Sequence, residues 1–464
     1  MSGLRLALAA ASLGITALLF GAAGARGQGA SGSMGQGASG SSSQGATGFM
    51  SQGASGSSSQ GASGSRSEVQ GVYQVLAEHG VRPALIYDGE GFADLSGGAR
   101  RGATYLGNLN LLLTLDMERL VSWRGATVFV DGLSIHGGQP SRFAGDAQGV
   151  SSIAAAPEWT LEEAWIQQNL CGNRFSALVG LYDVNSEFYH LHAADLFLNA
   201  SFGLGPELSQ SGRGGPSVFP NTAVGARIEV KPLAGVVLRT AVLDGVPAER
   251  PTGWDVFAKA DGLLIVSEAA FLHRPSPASA LRMPHRFLLG REAQLPPYEA
   301  KLAVGIWHYT ATFDDLVRTQ GNGTPLTHQG SSGVYVIGDA VVSKNEDGRE
   351  LRVFGQVGSG DSRVNRFGLY TGGGVDLAGV IPGRHQDEIG LGLAAARNGS
   401  QFIEQRRENG QRVDRSEVTL ELAYRSPITS RLNIQPDLQY VFHPNTDPRV
   451  ANALVTLIRI ELEL

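Results

Sequence analysis

The chain is 464 residues long with a formal net charge of −6, and 17% of its residues are charged, against roughly 25% in ordinary soluble domains. No segment after the N-terminus holds ~18 consecutive apolar residues, which argues against a helical membrane protein, and no basic stripe points to nucleic acid. The single cysteine, Cys171, excludes an intrachain disulfide framework.

In chain order, Arg5 followed by the apolar run Leu6 to Phe20 and by Ala23-Gly24-Ala25 reads as an export signal over residues 1–25. Gln28, Gln36, Gln44, Gln52 and Gln60 then each open a Gln-Gly-Ala-Ser/Thr-Gly repeat. Such a composition buries too little apolar surface to offset ordering entropy, so residues 26–67 are expected to be a disordered linker. Residues 68–80 carry Val72, Val75 and Leu76 at helical spacing with Gly80 as a stop, which predicts a short periplasmic helix.

After Gly80 the helical period disappears. Segments of about ten residues with period-two alternation follow, separated by turn residues. Arg227, Glu229 and Lys231 oppose Val224, Ala226, Ile228 and Val230; Arg459, Glu461 and Glu463 oppose Ile458, Ile460 and Leu462. The segments fall near 82–93, 104–116, 126–136, 160–168, 176–183, 224–231, 235–243, 262–272, 301–310, 333–342, 351–358, 366–376, 387–397, 416–425, 432–443 and 452–462. The even count, with tight turns on one rim and longer gaps on the other, predicts an all-β fold: a transmembrane antiparallel β-barrel of about 16 strands over 81–464. The long gap 273–300 falls on the short-turn rim, and a hairpin hidden there would raise the count to eighteen. On strand sixteen, Ile458→Arg is expected to be costly and Arg459→Ile milder.

Several local patterns resemble the carbohydrate-selective porin family of the OprB type. They are Leu95-Ser96-Gly97-Gly98 leading into Arg101 to Asn108, Gly132-Leu133-Ser134-Ile135-His136-Gly137, Gln148-Gly149-Val150-Ser151, and Glu163-Ala164-Trp165-Ile166-Gln167-Gln168. Ser186-Glu187-Phe188, Leu196-Phe197-Leu198-Asn199 and Leu438 to Pro444 continue the match in order. The resemblance implies a channel in the outer membrane of a Gram-negative bacterium, passing glucose-like monosaccharides, with small sugars, outer-membrane lipid and the barrel-assembly machinery as partners and a homo-oligomer left open. General porins fold the loop after their fifth strand inward, and the gap 184–223 occupies that place here. The chain differs from the pattern in its repeat tail and in ending Glu-Leu-Glu-Leu, where bacterial barrels often end in an aromatic residue.

A sugar presents hydroxyls that donate and accept and C–H faces that pack on rings, so a sugar path calls for carboxylates and guanidinium groups beside an aromatic platform. Glu163, Trp165 and Gln167 share one face of strand four; that face is either luminal or, with Trp165 in an aromatic girdle, turned to lipid. Arg227 and Arg239 flank a tight turn and either contact sugar or brace the wall through Arg–Glu pairs. Glu187 and Asp195 lie in the inward loop, as lining or as solvated acids. The Arg-rich set keeps open a channel for acidic sugars or small anions, and a closed envelope anchor is the structural alternative. No nucleophile–base pair appears, so no enzyme activity is expected. His190 and His192 lack a stricter ligand spacing, so neither a metal nor any other cofactor is expected.

Overall fold

The computed structural model describes residues 71–247, 261–273, 298–345 and 348–464. The expected signal 1–25 and repeat linker 26–67 lie outside the described residues. Residues 71–78 form a helix, closed by a hydrogen bond from His79 N to Val75 O.

From Gly80 onward the chain is one closed barrel. Its strands are β1 Val81–Gly98, β2 Gly102–Asp116, β3 Ala126–Gly137, β4 Glu158–Leu170, β5 Phe175–Tyr182, β6 Ala223–Val230, β7 Val236–Asp244 and β8 Leu263–His273. They continue with β9 Ala300–Thr319, β10 Pro325–Lys344, β11 Glu350–Gly360, β12 Phe367–Ala378, β13 Glu388–Asn398, β14 Ser416–Thr429, β15 Leu432–Phe442 and β16 Ala451–Glu463. Every neighbour is antiparallel and sequential, and β1 closes on β16 with Glu90 opposite Arg459 and Gly91 opposite Ile458. Closure leaves no sheet edge, which hydrocarbon could not hydrogen-bond.

The burial pattern inverts that of a soluble protein. On β6, Arg227 and Glu229 are buried while Ala226, Ile228 and Val230 are exposed; on β16, Arg459 is buried while Ile458 and Ile460 are exposed. Val179, Phe271, Leu302, Ile306 and Leu391 extend this exposed apolar belt around the wall. An apolar outside around a polar inside is the partition a bilayer imposes on alternating strands.

Each predicted segment corresponds to one strand, but two were underestimated. The expected loop 311–332 is mostly strand, since β9 and β10 rise as paired arms with Asp314 opposite Thr327 and Phe313 opposite His328. Polar residues such as Thr312, Asp314, Asp315, Thr327 and His328 fall on both faces among Phe313, Leu316 and Val317, so no strict apolar alternation marks it. The eighteen-strand alternative is corrected as well. Among the described residues β8 pairs directly with β9, His273 opposite Ala300, with no strand between them in the wall; residues 274–297 of the gap lie outside the described residues.

Candidate functional site

The site is built by the loop 183–222, between β5 and β6, which lies inside the barrel. Short turns shape it. Asp183 accepts from Asn185 N to start one turn of 3-10 helix, Asn199 caps the helix Ala200–Gly203 through Ser201 N, and Pro206 opens Pro206–Ser209. These turns leave many backbone groups without local partners, and inward wall side chains supply them.

The supply comes from six strands. On β8, Glu268 accepts from Tyr189 N at 3.0 Å and from the Tyr335 hydroxyl of β10 at 2.9 Å. On β9, Lys301 Nζ donates to His190 O at 2.8 Å, and on β10 Asp339 accepts from Ala193 N at 3.2 Å. Farther round, Gln356 Nε2 of β11 donates to Phe202 O at 2.8 Å and Gln435 Nε2 of β15 to Leu196 O at 2.5 Å. Glu421 of β14 accepts from Leu198 N at 2.5 Å and Asn199 N at 3.1 Å. Phe197 and Phe202 seal the same stretch against Phe354 of β11, with ring centroids 5.4 and 5.8 Å away. A second loop, 138–157, is held similarly: Glu417 accepts from Ala147 N and Gln148 N at 2.8 and 2.9 Å.

Five of the seven residues singled out from the sequence, Glu163, Gln167, Glu187, Arg227 and Arg239, meet where the loop leaves the wall. Glu187, fully buried, receives both Nε and Nη2 of Arg227, at 2.7 and 2.8 Å, and the Tyr182 hydroxyl at 2.5 Å. Arg227 also donates to Gln167 Oε1 at 2.7 Å and Ser176 at 2.8 Å. Arg239 binds Glu229 at 2.6 Å and reaches Glu187 O at 3.4 Å. Glu163 accepts from Asp183 N at 2.9 Å, at the first residue of the loop. Arg227 and Arg239 thus stand within the wall–loop contact, paired with Glu187 and Glu229, and are not among the residues bordering the open cavity.

Trp165 faces inward with Glu163 and Gln167, not toward lipid. A bulge at Glu162 of β4, facing the Asp131–Gly132 step of β3, turns Glu162 and Glu163 inward together. Trp165 is only 7% exposed, packed on Phe129 at 5.1 Å, and does not border the cavity. Gly180 lies opposite it with φ +146°, where a Cβ would collide with Ala164 O, so this close packing requires glycine. The Trp165 Nε1 has no hydrogen-bond partner among the described residues. Trp165→Phe is therefore expected to shift stability by only about 1 kcal/mol, because a small void offsets the relief of an unsatisfied donor. Sugar block of the ion current should stay unchanged. A several-fold loss of block in Trp165→Phe would place the indole in the sugar path.

The open space is a cavity of ≈ 460 Å³ between the loop and the strand ends on the rim that carries both ends of the barrel. Asp195, the seventh predicted residue, lines it beside His190, His192, Phe197 and Tyr298. His190 Nε2 lies 3.4 Å from the Asp195 carboxylate. Burial opposes ionisation of Asp195, but the His190 charge and hydrogen bond, with His192 and Arg425, hold its carboxyl below the ordinary range. Burial, with His190 adding, pushes His192 down to about 3, so that ring stays neutral. Tyr298 stacks on His192 at 4.3 Å and 11° between planes, receives His192 N and donates to Asp339, both at 3.2 Å. Arg352 and Arg425 both bind Glu388 on the opposite wall.

The wall residues Glu268, Lys301, Asp339, Arg352, Glu388 and Glu421 were not singled out from the sequence. Lys301, Asp339, Arg352 and Glu421 carry a signal that alternation could have exposed, a charge at an inward position between non-polar neighbours, as in Leu420-Glu421-Leu422; Glu268 and Glu388 follow Ser267 and Asp387 and lack it. Among the described residues, no group of three or more His, Cys, Asp or Glu is placed to hold a metal ion.

A closed sixteen-strand barrel with an apolar belt, a polar interior and an inward loop bordering a cavity of ≈ 460 Å³ is an outer-membrane porin, a channel. Residues 100–464 match the model of the carbohydrate-selective porin, OprB family, and the chain belongs to that family. It is 26% identical over 421 residues to Porin B of Pseudomonas aeruginosa, covering 83% of this chain and 88% of that protein. A high-pH structure of Pseudomonas putida OprB superposes with a TM-score of 0.72 at 20% identity, covering 86% of this chain and 97% of the other. A low-pH structure of that protein gives 0.53 at 16% identity over the same shares. These two likenesses show the fold, and the family places the protein in the outer membrane of a Gram-negative bacterium as a sugar porin.

Proposed function

We propose that this porin admits small neutral carbohydrates, glucose-sized monosaccharides, to the periplasm by passive diffusion past the inward loop. The observation that carries the reading is the ≈ 460 Å³ cavity, in which amides, carboxylates and engaged guanidinium groups surround the Tyr298–His192 stack. Hydroxyls find both donors and acceptors there, and the C–H face of a pyranose finds a ring fixed by two hydrogen bonds. Contact over a few tens of Å² is worth on the order of 1 kcal/mol at ~25 cal/mol per Å², weak enough for release. Liposome swelling with a size series is the test: monosaccharides should enter readily and trisaccharides slowly. Equal exclusion of all sugars would sink the reading. Tyr298→Ala should weaken sugar block of the ion current about three- to fivefold, following from that ~1 kcal/mol, while small-ion conductance holds or rises.

A further inference from the structure

We infer that the passage sorts sugars by charge, taking amine-bearing, cationic sugars ahead of sugar acids; the inference rests on the cavity being the sugar path. Among the described residues, the cavity lining carries ten Asp and Glu against five Lys and Arg. Four of the five cations are already engaged. Lys344 binds Glu350 at 3.2 Å, Arg352 and Arg425 both bind Glu388, and Arg459 binds Glu90 at 2.7 Å. A passing carboxylate therefore meets guanidinium forks whose positions are taken, and must displace a wall carboxylate to use one.

The carboxylates are spread around the passage. Asp88, Glu162, Asp195, Glu299 and Asp339 come from β1, β4, the inward loop, the β8–β9 connection and β10. Acids distributed around a cleft with low-dielectric walls focus a negative potential along its axis, raising the local concentration of cations and excluding anions. Of the three lining histidines, His190 is turned to Asp195 and His192 stays neutral, which leaves His385 alone against the surplus of carboxylates. The Arg-rich set keeps open an anion path as an alternative; the pairing of Arg352, Arg425 and Arg459 along this lining speaks for cations instead. Replacing one sugar hydroxyl by an ammonium group barely changes size, so a cationic hexosamine fits wherever the neutral hexose does.

The test uses the full-length protein in liposomes and planar bilayers, with glucose, glucosamine below the pKa of its amine, and glucuronate. Glucosamine should enter about tenfold or more faster than glucuronate at low salt. A KCl gradient should show potassium preference, and both preferences should shrink in 1 M salt, where the Debye length is about 3 Å. Asp339→Asn and Glu299→Gln, each removing one lining charge without changing shape, should each lower the glucosamine-to-glucuronate ratio. Glucose entry with equal or faster glucuronate entry overturns the charge sorting and leaves the sugar path standing. Exclusion of glucose with retained potassium preference overturns the sugar path instead. An unchanged ratio in both variants also overturns the assignment of the sorting to this lining.

Discussion

Arg227→Ala is expected to cost about 3–5 kcal/mol and to loosen the inward loop, because it leaves a buried carboxylate without its counter-charge. Glu187 is completely buried, and its two oxygens take the Arg227 Nε and Nη2 hydrogens at 2.7 and 2.8 Å. The remaining cation, Arg239, approaches Glu187 only to 4.0 Å and is committed to Glu229 at 2.6 Å, so it replaces little of the lost pairing. Gln167 and Ser176 lose their donor at the same time. Thermal unfolding in detergent should shift downward, and single-channel records should become noisier and larger as the loop moves off the wall. Arg227→Lys keeps the charge but not the planar fork and should fall between the two. Wild-type melting and quiet wild-type conductance in Arg227→Ala would mean that other contacts hold the loop.

The second large effect separates two adjacent residues of β16. Ile458 is 52% exposed on the lipid-facing side, and Ile458→Arg should cost roughly 2–4 kcal/mol near the bilayer midplane. Arg459, one residue on, is 6% exposed and faces inward, bound to Glu90 at 2.7 Å and to Ser152 at 3.2 Å. Arg459→Ile should therefore cost about 3–5 kcal/mol as well, by stranding Glu90 across the β1–β16 closure. This corrects the milder effect expected from alternation alone, which treats the inward face as water. The double variant Glu90→Gln, Arg459→Met removes both charges and should recover much of the loss. Folded fractions across a urea series in lipid vesicles check both. A mild Arg459→Ile would show that lumen water satisfies Glu90.

Strand number, order and facing were legible because they follow from a local rule. A barrel wall between lipid and a polar interior must alternate with period two, so Ile458 and Arg459, or Arg227 and Ile228, declare their sides within a few residues of sequence. The same rule turned Trp165 inward with Glu163 and Gln167. It failed at 311–332, where polar residues fall on both faces of the β9–β10 arms and break the alternation.

What an inward residue does is decided elsewhere. Alternation separates lipid from lumen but cannot tell an open lumen from one filled by a loop. The loop 183–222 reaches its partners through contacts remote in sequence: Gln435 to Leu196, Glu421 to Leu198 and Asn199, Lys301 to His190. Their pairing depends on the diameter and shear of the closed barrel, which no local pattern records. Closure thus placed Arg227, Arg239 and Glu187 in the brace under the loop and left Asp195, Tyr298 and Asp339 at the edge of the passage. The chain alone determined which side of the wall each residue occupies. Only the tertiary structure decided which inward residues hold the loop and which face the solute, because that depends on where the loop comes to rest.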